Sequence, residues 1–256
     1  MRSLLAFIKK EFTAQLRSVK LLILGLLFIL FGIMNPAIAQ LTPWLFEAMA
    51  DALAESGIII NQTKVTAMDA WVQFYKNIPM GLIAFVLLES SIFTKEYTSG
   101  TLILSLTKGL NRCQVVVAKT IVLTVLWSVG YWLCFGITCG YSAYFWDNSV
   151  VQNLIFSGSC WWLFGMLVIA LTVLFSTVAK TNIGVLLGIG GVVLAFYLVG
   201  LLPEWGKYLP TFLTDGNALI YGLAEAKAYI PSLLITIIMG VIGFAISVPI
   251  FNKKQL

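Results

Sequence analysis

Six stretches of this chain stay apolar for long enough to cross a lipid bilayer: residues 21–39, 78–93, 115–141, 154–178, 183–202 and 230–251, the second reaching back toward Trp71. A helix needs roughly 20 residues, at about 1.5 Å each, to pass about 30 Å of hydrocarbon. Inside that solvent every backbone N–H and C=O must be bonded within the protein, so apolar runs of this length fold as helices. Only 11% of the 256 residues are charged, against about a quarter in a soluble domain. The expectation is an all-α membrane protein of six transmembrane helices, forming one domain over residues 1–256.

The charges give the orientation. With six spans both termini share a side, and that side carries twelve Lys and Arg: five before the first span, then Lys95, Lys108, Arg112, Lys119, Lys180, Lys253 and Lys254. The opposite side has four, Lys64, Lys76, Lys207 and Lys227. By the positive-inside rule both termini are expected to be cytoplasmic, in a multi-pass inner-membrane protein. The net charge of +5 is therefore a matter of topology and needs no nucleic-acid partner. Ahead of the first span, Leu4, Leu5, Ile8, Phe12 and Leu16 recur at helical spacing among Arg2, Lys9, Lys10, Arg17 and Lys20. Residues 1–20 read as an amphipathic helix at the membrane interface. Ala37-Ile38-Ala39 resembles a cleavage site, but the apolar stretch is long for a signal peptide, so an anchored first span is expected.

The loops on the opposite side are acidic, with Glu47, Asp51, Glu55, Asp69, Asp147, Glu204, Asp215 and Glu225. In residues 40–77, Thr42-Pro43 predicts the start of a separate loop helix. Trp44, Phe46, Leu53 and residues 58–60 would then pack on the membrane surface. Residues 203–229, with Trp205, Tyr208, Phe212 and Tyr221, predict short helices dipping into the leaflet.

Chemistry inside the membrane is poorly provided for. There is no His, the commonest general base and metal ligand, and no pair of mid-span Asp residues. Cys113, Cys134, Cys139 and Cys160 match no metal framework and read as packing residues. An intramembrane enzyme is disfavoured, and no cofactor is expected on this chain.

The connection between the second and third spans is the informative segment. Gly100 allows a sharp break after Glu96, and Thr101 can cap a short helix from Leu102 through Leu104 to Lys108, which Gly109 can end. Asn111 and Gln114 have the spacing of a capping box opening the third span. Glu96, then Gly100-Thr101-Leu102, then Arg112 and Lys119 together resemble the pattern of ABC-2 type permeases, the membrane subunits of bacterial ABC exporters. Lys108-Gly109 stands where that family commonly has a Pro before the Arg. The resemblance implies a cytoplasmic coupling helix, with Glu96, Gly100, Thr101, Leu102, Leu104, Lys108 and Arg112 serving ATPase coupling. It also implies two copies of a separate ATP-binding subunit carrying ATP and Mg, and a second permease chain, the same or homologous. This chain has no G-x-x-x-x-G-K-[ST] motif. Small permeases of this kind resemble exporters of phenol-soluble modulins and lantibiotics, which points to an amphipathic toxin or antimicrobial peptide as cargo. A drug, lipid or ion cargo, or a structural membrane protein without transport, are the alternatives.

Glu89 and Glu96 are seven residues apart, as are Arg112 and Lys119. Two antiparallel helices would then pair Glu96 with Arg112 and Glu89 with Lys119, an ion-pair ladder at membrane depth. Snorkelling of Glu89 and Lys119 to the interface is the competing expectation. Trp127, Tyr131, Trp132, Trp161 and Trp162 are expected to anchor and pack the bundle. Gly184, Gly188, Gly190, Gly191 and Gly200 allow close helix approach, inside the protomer or between two.

Overall fold

The computed structural model describes residues 2–48, 64–102, 107, 111–202 and 204–254. Among them there is no strand. In chain order the helices are α1 (Arg2–Leu16), α2 (Val19–Ala48), α3 (Ala67–Glu89), α4 (Ser91–Ser99), α5 (Arg112–Phe145), α6 (Leu154–Val178), α7 (Asn182–Gly200), α8 (Gly216–Ile220) and α9 (Ile230–Lys253). Six helical stretches are long and apolar enough to cross a membrane: Val19–Leu45, Ala67–Tyr97, Arg112–Phe145, Leu154–Val178, Asn182–Gly200 and Ala226–Lys253. The sequence expectation of six spans holds, and the first, second, third and sixth run further than their apolar cores.

α2 runs well beyond its apolar core and continues through both Pro36 and Pro43. Thr42-Pro43 therefore does not open a separate helix: the Thr42 hydroxyl donates to the Ile38 carbonyl at 2.7 Å, within the helix. The rest of that loop, including Leu53 and residues 58–60, lies outside the described residues. Pro36 has no N–H to give the Gly32 carbonyl four residues back. The Thr138 hydroxyl, from α5, donates to that carbonyl at 3.2 Å. The same hydroxyl oxygen accepts from Asn35 Nδ2 at 3.0 Å, and Asn35 Oδ1 accepts from Asn77 Nδ2 at 2.8 Å. One buried polar chain thus joins α2, α3 and α5 where the proline opens the backbone.

Apart from this chain, the interior is built of aromatic rings set against glycines. Phe28 of α2 is wedged between Gly81 of α3 and Gly130 of α5, where an added Cβ would come within 3.0 and 2.6 Å of its ring. The Trp127 indole lies over Gly165 of α6, where a Cβ would stand 2.3 Å away. Trp127, Tyr131 and Trp161 are buried, as the packing expectation required. α6 is the most enclosed span, with α9, α5 and α7 around it. Among the α7 glycines, Gly188 meets the Phe175 ring, whereas Gly190 and Gly191 face open space. Residues 206–229 form the short helical turns expected of them. Leu213, Leu219, Ile220 and Tyr229 fold back into the bundle.

Replacing Thr138 by Val keeps the shape and strands both the Gly32 carbonyl and the Asn35 amide. The expected loss is about 1 kcal/mol in detergent unfolding, with Thr138→Ser close to wild type. An unchanged midpoint for Thr138→Val would show that the proline site is satisfied otherwise.

Candidate functional site: a buried ion cluster beside the connecting segment

At the basic end of the bundle α1 lies along the first turns of α5. Its apolar arc, Leu4, Phe7 and Ile8, faces inward, and Glu11 continues that arc one turn beyond Phe7. An ionised acid on the buried face of a helix is costly unless it is paired and hydrogen-bonded. Lys119 of α5 supplies it: its ammonium, on a side chain 1% exposed, lies 2.9 Å from Glu11 Oε2 and 3.0 Å from Glu96 Oε2 of α4. A third contact goes to the Ile92 carbonyl at 3.1 Å. Lys10 closes the cluster from outside, 3.0 Å from Glu11 and 3.3 Å from Glu96. The Phe7 and Phe93 rings flank the Lys119 ammonium at 5.9 and 5.5 Å. Burial raises the Glu11 carboxyl, but the charges of and hydrogen bonds from Lys119 and Lys10 outweigh it, leaving the group below its ordinary value.

The ladder expected from spacing is corrected here. Lys119 pairs with Glu96 and Glu11 rather than Glu89, and Arg112 pairs with no acid among the described residues. The connection from Gly100 to Asn111 is longer than a tight hairpin, so α5 passes two turns further along α4 before the charges meet. Glu89 is nonetheless buried, at 1% exposure, so it does not snorkel. Its Oε2 accepts from Gln15 Nε2 at 2.7 Å. Beside it, where α3 gives way to α4, Lys20 donates to the Leu88 carbonyl and, at 2.8 Å, to the Ser91 hydroxyl.

The connecting segment is gripped on both flanks. On the near side Gly100 ends α4 in the left-handed conformation, φ 66°, where a side chain would be strained. Tyr97, three residues earlier, donates its hydroxyl to the Ser176 carbonyl of α6 at 3.1 Å. Thr101 and Leu102 resume helix, and Leu102 is buried; Leu104 and Lys108 lie outside the described residues. On the far side the Asn111 N–H donates to Gln114 Oε1 at 3.3 Å, as the capping box predicts. The Arg112 guanidinium donates to the carbonyls of Phe251, Asn252 and Lys254 at 3.1, 3.0 and 2.6 Å. These carbonyls lie at the C-terminal end of α9, where the i to i+4 ladder runs out; the Phe251 carbonyl also accepts from the Lys254 N–H at 3.3 Å. Lys254 in turn donates to the Ala179 carbonyl at 2.8 Å, and burial together with Lys180 pulls its pKa down to about 8.

Residues 5–209 match a family described as ABC-2 family transporter protein. That stretch takes in most of α1, the ion cluster, the connecting segment and the first five spans. The chain belongs to the ABC-2 transporter family. No curated protein and no solved structure matches it. As an ABC-2 permease it is a membrane transport component of an ABC exporter, not itself catalytic, and the family implies an ATP-binding partner subunit. Lys10 entered the sequence reading of this permease only as one of the basic residues of the interfacial segment, and Glu11 was not singled out. The available signal was Glu11 itself, the only acid in α1 and on its apolar arc.

Lys119→Met removes the buried cation between Glu11 and Glu96 and leaves them only the half-exposed Lys10. Breaking a buried pair on one side costs about 3–5 kcal/mol, and adding Glu11→Gln is expected to recover part of it. Denaturant titration of the detergent-solubilised protein reads both, and an unchanged Lys119→Met midpoint contradicts the cluster. Because the folded Glu11 carboxyl lies below its unfolded value, its stabilisation is complete above the ordinary carboxylate pKa. That stabilisation is lost as pH falls through the lower folded value, so the wild-type midpoint should drop only below about pH 4.

Proposed function

We propose that this ABC-2 permease exports amphipathic peptides, two permease chains working with two ATP-binding subunits, and that residues 100–111 are where the ATPase pushes. The observation that carries this reading is the grip on both flanks of that segment. Glu96 and Tyr97 tie its start to α1, α5 and α6, while Arg112 ties its end to α9. A displacement of the segment therefore reaches several spans without passing through a flexible link. Docking on a soluble ATPase requires the basic end to face the cytoplasm, and the twelve-to-four distribution of Lys and Arg supports that orientation.

The peptide cargo rests on the character of the surfaces. Buried aromatic rings fill the centre of the bundle, so the route for cargo runs along the outside of a protomer, between two copies. There α2 and α7 offer long apolar faces, including Leu22, Leu26, Leu30, Leu187, Leu194 and Leu198. Such walls suit a peptide with one apolar side better than a bare ion. ATP drives the change between states through the different affinities of the ATPase pair for them.

Co-purification followed by mass spectrometry identifies the ATPase, and proteoliposomes holding both subunits then read ATP-dependent peptide flux. Arg112→Gln frees the end of α9 from the segment. It is expected to leave the ATPase bound and hydrolysing while flux per ATP falls at least about tenfold, equivalent to about 1.4 kcal/mol of coupling. Wild-type peptide flux in that variant would overturn the role given to the segment. Flux of an ion without peptide in the wild type would overturn the cargo.

A further inference from the structure

The face of α1 turned away from the bundle carries two strips side by side. One is apolar: Leu5 and Leu16 are 62% and 70% exposed, and Val19 follows at the start of α2. The other is cationic, with Lys9, Thr13 and Arg17 one turn apart and Lys10 on the next ridge between Ala6 and Ala14. These six residues, Ala6 to Arg17, line one shallow groove with a floor of small side chains and a rim of positive charge. No acidic residue among those described pairs with Lys9 or Arg17. Thr13 turns its hydroxyl hydrogen to the Lys9 carbonyl at 2.8 Å, so the groove is left with ammonium and guanidinium donors.

We propose that this groove binds the phosphate headgroup of an anionic lipid in the leaflet at the basic end. Depth supports the assignment. α1 ends at Leu16, immediately before the apolar run of α2, so it lies in the headgroup layer just outside the hydrocarbon. Chemistry separates a lipid from a protein partner. A soluble acidic surface would answer the cations and leave Leu5, Leu16 and Val19 against water, whereas an anionic lipid supplies phosphate for one strip and acyl chain for the other. Lys10 belongs to both the groove and the ion cluster, 3.3 Å from Glu96. A bound phosphate competes with Glu11 and Glu96 for that ammonium, so lipid charge bears on the anchoring of the connecting segment. The site depends on the membrane-spanning architecture and not on the identity of the cargo.

The test uses the full chain in phosphatidylcholine vesicles carrying trace spin-labelled phosphatidylglycerol or spin-labelled phosphatidylcholine, reading the fraction of immobilised label. The wild type is expected to prefer phosphatidylglycerol, less so as salt is raised. Lys9→Gln with Arg17→Gln is expected to reduce that preference roughly fivefold for each cation lost, while Lys9→Arg with Arg17→Lys preserves it. Equal immobilisation of the two lipids by the wild type, or an unaltered preference in the double Gln variant, would overturn the proposal. Displacement of the labelled lipid by millimolar inorganic phosphate would also overturn it, assigning the groove to a free anion. So would loss of the ATP-binding subunit from the double Gln variant with its lipid preference intact, which assigns the face to protein.

Discussion

An ammonium group at Lys119, two turns inside a membrane helix, cannot stand alone. Leaving such an ion unpaired in a low-dielectric interior costs several kcal/mol. The fold answers with two carboxylates from different helices, Glu11 of α1 and Glu96 of α4, and with the Ile92 carbonyl. Because these partners come from separate parts of the chain, satisfying one charge fixes three helices against one another. The position of α1 and the register of α4 on α5 both answer to that requirement.

The cluster also explains why the ends of the connecting segment are well defined. Gly100 caps α4 just below Glu96, and Asn111 opens α5 two turns below Lys119. On the function proposed above, residues 100–111, between those points, are where the ATPase would push. In the proposed coupling role, Arg112 would pass that motion to the end of the last span through its bonds to the final carbonyls of α9. Further along α5, Thr138 answers the carbonyl that Pro36 frees in α2. The same long helix is thus bonded to its neighbours at both ends, and its middle is packed by Phe28 and Trp127 on glycines.

The spans were legible in the sequence because hydrocarbon thickness imposes a length on them; α6 coincides with its apolar run, Leu154–Val178. The turn signals of Gly100 and the Asn111–Gln114 pair were legible because backbone geometry there is local. The ion pairs were not. Spacing along two helices places Glu89 and Glu96 on one face, but the register between helices depends on the length of the connection and on a third helix. Glu11 was hidden because a single acid in a basic, amphipathic segment reads as a solvated group until its arc is compared with Leu4, Phe7 and Ile8. Thr42-Pro43 misled for a related reason. Its start signal is real in an isolated segment, but here a helix already under way keeps its turn by bonding Thr42 to Ile38.

The central claim is that the ion cluster makes α1 and the lower turns of α5 one body. Pulsed electron resonance between labels at Ala14→Cys and the exposed native Cys113, with the other three cysteines replaced, measures it directly in the complex with the ATPase. The account predicts one narrow distance, the same before and after ATP is trapped, that broadens when Lys119 is replaced by Met. A distance that shifts with ATP in the otherwise wild-type protein, or stays narrow without Lys119, would contradict it.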